Sequence, residues 1–119
     1  MGLKNEDNEY IKYLILNHSK KELMQNKNTP IELIILMEAD LLDETGALSI
    51  VWDCMAEGAQ EIQSFEKTYK HIKDKSCKIL DINPMVTKPG KEIWKKKQTL
   101  VKEFIIQLKY DLCDKEVLE

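Results

Sequence analysis

The chain contains no arginine: all 18 of its basic residues are lysine. Bidentate capture of a phosphate or carboxylate by a guanidinium is therefore excluded, and a phosphate would have to be met by lysine, backbone amides or a metal. Glycine and proline are scarce, at 4 and 3 residues, so most of the turn signals that punctuate β-proteins are missing. The Lys, Glu, Leu and Ile that fill the chain instead favour helix. The three cysteines, Cys54, Cys77 and Cys113, are odd in number and widely spaced. They offer neither zinc-ligand spacing nor a disulfide framework, and read as reduced thiols in a cytoplasmic protein. There is no basic excess, with 21 acidic residues against 18 basic and a net charge of -3, which argues against a nucleic-acid partner. No apolar run reaches membrane-spanning length and no secretory leader is present, so no membrane association is expected. Gly-rich phosphate loops, nucleophile elbows and Cys/His pairs are absent. The Lys, Asn and Ile bias fits an AT-rich, bacterial genome.

What is present reads as a single helical domain over residues 1–119, long enough to bury a real core. Tyr10, Ile11, Leu14 and Ile15 recur at helical spacing and predict a first helix over Glu6 to Asn17. Glu22 to Asn28 is polar and reads as a loop or a weak helical turn. Thr29 as N-cap, Pro30 as first helical residue and Glu32 as the far side of a capping box predict a second helix. Ile31 to Leu42 is apolar nearly all round, the pattern of a central helix. After Gly46 the pattern resumes through Leu48, Val51, Trp52 and Met55 and stops at Gly58. Ile62, Phe65, Tyr69 and Ile72 mark a third element over Ala59 to Lys75. Cys77 to Gly90, with Pro84 and Pro89, reads as a long loop, and Trp94, Val101, Ile105, Leu108 and Leu112 make the stripe of a last helix over Lys91 to Cys113. The expected architecture is all-α, with four or five helices.

The segment from Glu38 to Ala47, EADLLDETGA, sets acids inside an apolar run. A buried carboxylate is costly unless it is paired, hydrogen-bonded or bound to a cation. Asp40 is the acid most in need of such a partner. Asp40 and Asp43 share a helix face at i and i+3, and Glu44 at i+4 from Asp40 extends the cluster. Such acids suit a hard divalent cation; equally, Asp40 pairs with a lysine while Asp43 and Glu44 face water. His18, before Ser19-Lys20-Lys21, suits a metal or phosphate contact or a solvated helix end. His71, between Lys70 and Ile72, reads as a surface residue. Lys95, Lys96 and Lys97 read as a solvated helix face, and Trp52 and Trp94 as core or interface packing.

EADLLDETGALSI resembles the segment that carries the last metal-ligand Asp of the HD-domain metal-dependent phosphohydrolases. Tyr10 to Ser19 is similar to the helix before that segment, and Phe65 to Lys67 through Met85 to Lys91 to the helix, loop and final helix after it. The likeness covers the C-terminal half of such a domain, and implies a partial HD-type helical bundle. It further implies a divalent metal (Mn, Fe, Mg or Zn) with Asp40 as ligand, Asp43 as supporting acid and His18 as accessory residue. The implied reaction is hydrolysis of phosphate esters such as nucleotides by metal-activated water. No His-Asp dipeptide occurs, since Ser19 follows His18 and Ile72 follows His71, so the ligand set is incomplete in this chain. One carboxylate does not make a water-activating metal site. The alternative is a non-catalytic helical module that self-associates or binds a partner chain through exposed apolar helix faces. A third reading, an unrelated small helical protein in which EADLLD is coincidence, would be marked by a fully solvated Asp40.

Overall fold

In a computed structural model, residues 4–76 and 82–112 are described; their regular structure is all helical, with no strand among them. The order is α1 (Asn5–Asn17), a 3-10 turn (Lys21–Gln25), α2 (Ile31–Asp43), α3 (Ala47–Gly58), α4 (Phe65–Lys75) and α5 (Lys88–Asp111). The all-α expectation with four or five helices holds. Cys77 and Cys113 lie outside the described residues. No described helix is long and apolar enough to cross a membrane.

Two small apolar clusters, rather than one core, hold the helices. The first joins Met24, Leu33 and Met37, with Leu14, Leu23, Leu41 and Val86 packed against them. The second joins Ile50, Tyr69, Ile72, Val101 and Ile105, backed by Leu108 and Leu112. Long α5 spans both regions: its preceding residue Val86 packs on the first cluster while Val101 and Ile105 belong to the second. Trp94, fully buried, lies between them in sequence. Helix α1 buries no residue at all. The central-helix pattern of α2 does not translate into all-round burial, because Ile31 and Ile35 are more than half exposed. The physical reason is that α2 packs chiefly on α1, the 3-10 turn and α5, which leaves one side of the helix uncovered.

Helix starts follow local chemistry, although not always where the sequence pattern suggested. Thr29 does not cap α2: its hydroxyl donates to Leu23 O at 2.6 Å, and Pro30 takes the cap position with no side-chain bond. Glu32 accepts from the Tyr10 hydroxyl at 3.0 Å instead of closing a capping box. Helix α4 begins at Phe65, not Ala59, because Ser64 Oγ accepts from Lys67 N. Ile62 and Phe65 accordingly sit outside the core, at 75% and 77% exposure. Helix α5 starts three residues before the expected Lys91, because Thr87 Oγ1 accepts from Gly90 N and Pro89 fits the first turn.

Between α2 and α3 the chain turns at Gly46, whose φ of +81° lies in the left-handed region open to glycine. A Cβ there would also stand 2.9 Å from Lys97 Cγ. That close approach lets Lys97 Nζ donate to Thr45 O at 3.1 Å, tying the turn to α5.

Candidate functional site

Three acid-centred arrangements emerge, and each is built from residues of different helices. The first contains the candidates singled out in the sequence. At the end of α1, His18 Nδ1 lies 2.5 Å from Ile15 O. Lys21 reaches back to donate to His18 O at 2.8 Å and across to Asp40 Oδ2 at 2.6 Å. Lys21 thus ties the end of α1 and the 3-10 turn to α2. Asp40 is not a buried acid, since its side chain is 38% exposed against 29% for Lys21; nor is it fully solvated and unpaired. The hydrogen-bonded Lys21 ammonium holds the Asp40 carboxyl below the usual carboxylate range. Partial burial opposes this, and the charges of Lys21 and then His18 add to the lowering.

The structure therefore brings Asp40 and His18 near one another, with Lys21 between, while Asp43 and Glu44 both stand exposed. Among the described residues, no three His, Cys, Asp or Glu side chains form a group able to hold a metal ion. As arranged, a cation at Asp40 would have to displace the ammonium already there. Replacing Asp40 with Asn is expected to cost less than about 1 kcal/mol near neutral pH, as exposed pairs do. Because the folded-state pKa is lowered, the pair's contribution is complete above the ordinary value of 3.8. It is lost as the pH falls through the folded value, so the gap between wild type and Asp40→Asn should close in acid. Denaturant titrations of both proteins across that range measure it.

The second arrangement centres on the acid that is truly buried in this segment, Glu38, at 4% exposure. Its Oε2 accepts from Val86 N at 2.9 Å and Thr87 N at 3.1 Å, and its Oε1 from the Thr87 hydroxyl at 2.6 Å. The carboxylate sits at the N-terminus of α5, where unpaired amides and the helix dipole favour negative charge. Gly90 is required beside it, because a Cβ at that position would run into Glu38 Oε2. Glu38 is a structural anchor, with both of its oxygens engaged as acceptors.

The third was not foreseen. On α3, Asp53 and Glu57 are buried at i and i+4, and His71 of α4 lies between them. Its Nδ1 is 2.6 Å from Glu57 Oε1 and its Nε2 is 3.3 Å from Asp53 Oδ1. Asp53 Oδ2 also accepts from Ser76 Oγ at 2.6 Å, and Ser49 Oγ stands 3.1 Å from Ser76 Oγ. Lys67 Nζ approaches Glu57 Oε2 at 3.8 Å. His71 is therefore a half-buried strut and not a surface residue. The sequence did carry a signal for it, in the acid pair Asp53 and Glu57 at one-turn spacing on the inner side of α3. Ser, His and Asp are all present, but the order is wrong for nucleophilic catalysis. Ser76 is bonded to Asp53 and not to the imidazole that would have to take its proton. Cys54 is exposed, yet its thiol is pushed up from the ordinary value, first by burial and then by the neighbouring Asp53. That is the opposite of an activated thiolate.

Around α3 the surface is apolar. Leu48, Val51, Trp52 and Met55 form a crest that is 52 to 71% exposed. A cleft of about 500 Å³ opens along the crest, walled by the crest's own side chains and edged by Asp43, Glu44 and Lys75. A groove of about 690 Å³ runs between α3 and α5, lined by Ala47, Ile50, Leu100 and Phe104. No family model, curated protein or solved structure matches the chain.

Proposed function

We propose that this chain is a non-catalytic helical interaction module, which associates through apolar faces that its own fold leaves open. The observation that supports this reading best is the set of large apolar side chains on the outside of every major helix. Leu16 of α1 is 72% exposed, Ile31 and Ile35 of α2 are 53% and 55%, and Leu48, Trp52 and Met55 of α3 are 63%, 71% and 64%. Scattered exposed leucines are ordinary, but monomers rarely present contiguous apolar patches beyond a few hundred Å². The three acid clusters support the same reading, since each ties helices together within the chain. Sedimentation velocity and an apolar dye test it together. A dimer or larger species, or a monomer that binds the dye strongly, is the expected result. A clean monomer that leaves the dye dark overturns it.

A second reading keeps the resemblance to the HD-domain phosphohydrolases, with Asp40 as a ligand of a divalent metal and phosphate esters as substrates. It is favoured by the convergence of His18 and Asp40 from α1 and α2, and it requires the remaining ligands to come from another chain. On this reading manganese, iron, magnesium or zinc binds near-stoichiometrically to the assembled protein, and Asp40→Asn weakens that binding at least about tenfold. Equal affinity of wild type and mutant in a metal titration would sink the assignment.

A further inference from the structure

Resting on the interaction-module reading, we infer that the partner at the α3 face is a second copy of this chain. The two copies are related by a two-fold axis running along α3, each α3 crest seated in the other's α3/α5 groove.

Ridge and groove lie side by side on one surface. Leu48, Trp52 and Met55 fall at i, i+4 and i+7, one face of a helix, and are 63%, 71% and 64% exposed. Val51 belongs both to the edge of this crest and to the wall of the groove between α3 and α5. A surface that carries a ridge next to a groove of similar length is self-complementary under a two-fold. The rotation that puts one ridge into the partner's groove puts the partner's ridge into its own. Ala47 at the groove's end keeps the wall low, and Leu100 and Phe104, 47% and 37% exposed, offer apolar sides.

Charge selects both the partner and its direction. Asp43 and Glu44 stand at the N-terminal end of the crest, and Lys96 stands on the groove rim. Among the described residues no ion pair reaches any of the three. Lys96 is also at the N-terminal end of α3, because its neighbour Lys97 bonds to Thr45. The acids at one crest therefore meet Lys96 of the other groove only if the two α3 helices run parallel. An antiparallel pairing would carry Asp43 and Glu44 to Glu103 at the far part of the rim instead.

The area is sufficient. A fully exposed aromatic side chain carries about 150–250 Å². On that scale the exposed parts of Leu48, Val51, Trp52, Met55, Leu100 and Phe104 amount to roughly 600 Å². With the polar rim added this approaches the roughly 800 Å² per partner of a standard interface.

The experiment is sedimentation equilibrium of the full chain, with acrylamide quenching of tryptophan fluorescence as a second readout. Trp94 is fully buried and Trp52 is 71% exposed, so quenching in the dilute protein reports Trp52 and should fall as the concentration rises. Trp52→Lys is expected to raise the dimer dissociation constant about thirtyfold, the size of a central aromatic anchor, with the helical circular dichroism unchanged. Glu44→Lys and Lys96→Glu singly should weaken the dimer about two- to fivefold, and the double variant should recover most of the loss. A dimer that Trp52→Lys leaves intact, or a dye-binding monomer, overturns the second-copy inference while the interaction-module reading stands. A clean monomer that ignores the dye overturns both.

Discussion

Glu38→Ala is expected to destabilise the protein by about 3 kcal/mol, although the residue belongs to no ion pair. The carboxylate is almost completely buried and accepts three hydrogen bonds from Val86 and Thr87. Removing it leaves two backbone amides at the start of α5 without an acceptor, and unsatisfied buried donors carry the full desolvation penalty. A charged acceptor at a helix N-terminus adds a dipole contribution. For a chain of this length the thermal midpoint should fall by about 10 °C. Glu38→Gln should recover part of the loss, since an amide oxygen still accepts but its NH2 faces the donors. Thr87→Ala removes the N-cap and one bond to Glu38, and should cost about 1 kcal/mol. Denaturant unfolding measures all three, and amide exchange at Val86 and Thr87 should accelerate in Glu38→Ala. A loss below 1 kcal/mol in that variant would contradict the anchoring role.

His71→Ala is expected to cost about 2–3 kcal/mol for a different reason. The imidazole separates two carboxylates whose side chains are only 10% and 11% exposed. Without the ring, Asp53 and Glu57 lose the partner they share, which leaves Ser76 on Asp53 and Lys67 at 3.8 Å from Glu57. Removing the ring strands a buried carboxylate without its hydrogen-bond partner, which is the costly case. The cost should therefore shrink when the stranded charge is removed as well: His71→Ala with Glu57→Gln should be more stable than His71→Ala alone. A double-mutant cycle read by denaturant unfolding decides it. Simple additivity would mean that His71 and Glu57 pack side by side without coupling.

Both predictions concern residues that sequence patterning does not single out, and the reason is geometric. Glu38 and Asp40 are two residues apart on α2, so their side chains point to nearly opposite sides of the helix. Only one of them can face the protein interior. Because Ile31 to Leu42 is apolar nearly all round, periodicity could not say which side that was. Asp40 is the partly exposed partner of Lys21, while Glu38 is the buried one. His71 was obscured in a similar way. Its neighbours Lys70 and Lys73 are exposed, but Ile72 is fully buried, so the ring sits at the flank of α4 that meets α3. Its partners stand 14 and 18 residues back along the chain, a relation no local pattern displays.

The stripes fared better where both helix faces differed. Trp94, Val101 and Ile105 were expected on one apolar stripe and are buried on it. Gly46 and Gly58 bracket α3 as the break in pattern suggested. By contrast, the spacing of Leu48, Val51, Trp52 and Met55 signalled a helix but not the direction of its apolar face. That face points outward, and Ile50 on the other side of α3 enters the core. An amphipathic period states that a helix has a greasy side, and it is silent on whether the same chain covers it.

The sequence by itself determined the all-helical class, the rough extents of the helices and the exclusion of guanidinium chemistry, because each of these depends on local composition and on spacing along one element. The tertiary structure alone decided which acid is buried, which lysine neutralises Asp40, and which apolar stripe is left outside. Those outcomes depend on the rotation of one helix against another, and that rotation is set by the summed packing of α2, α3 and α5 over small clusters. No single residue's preference carries the information.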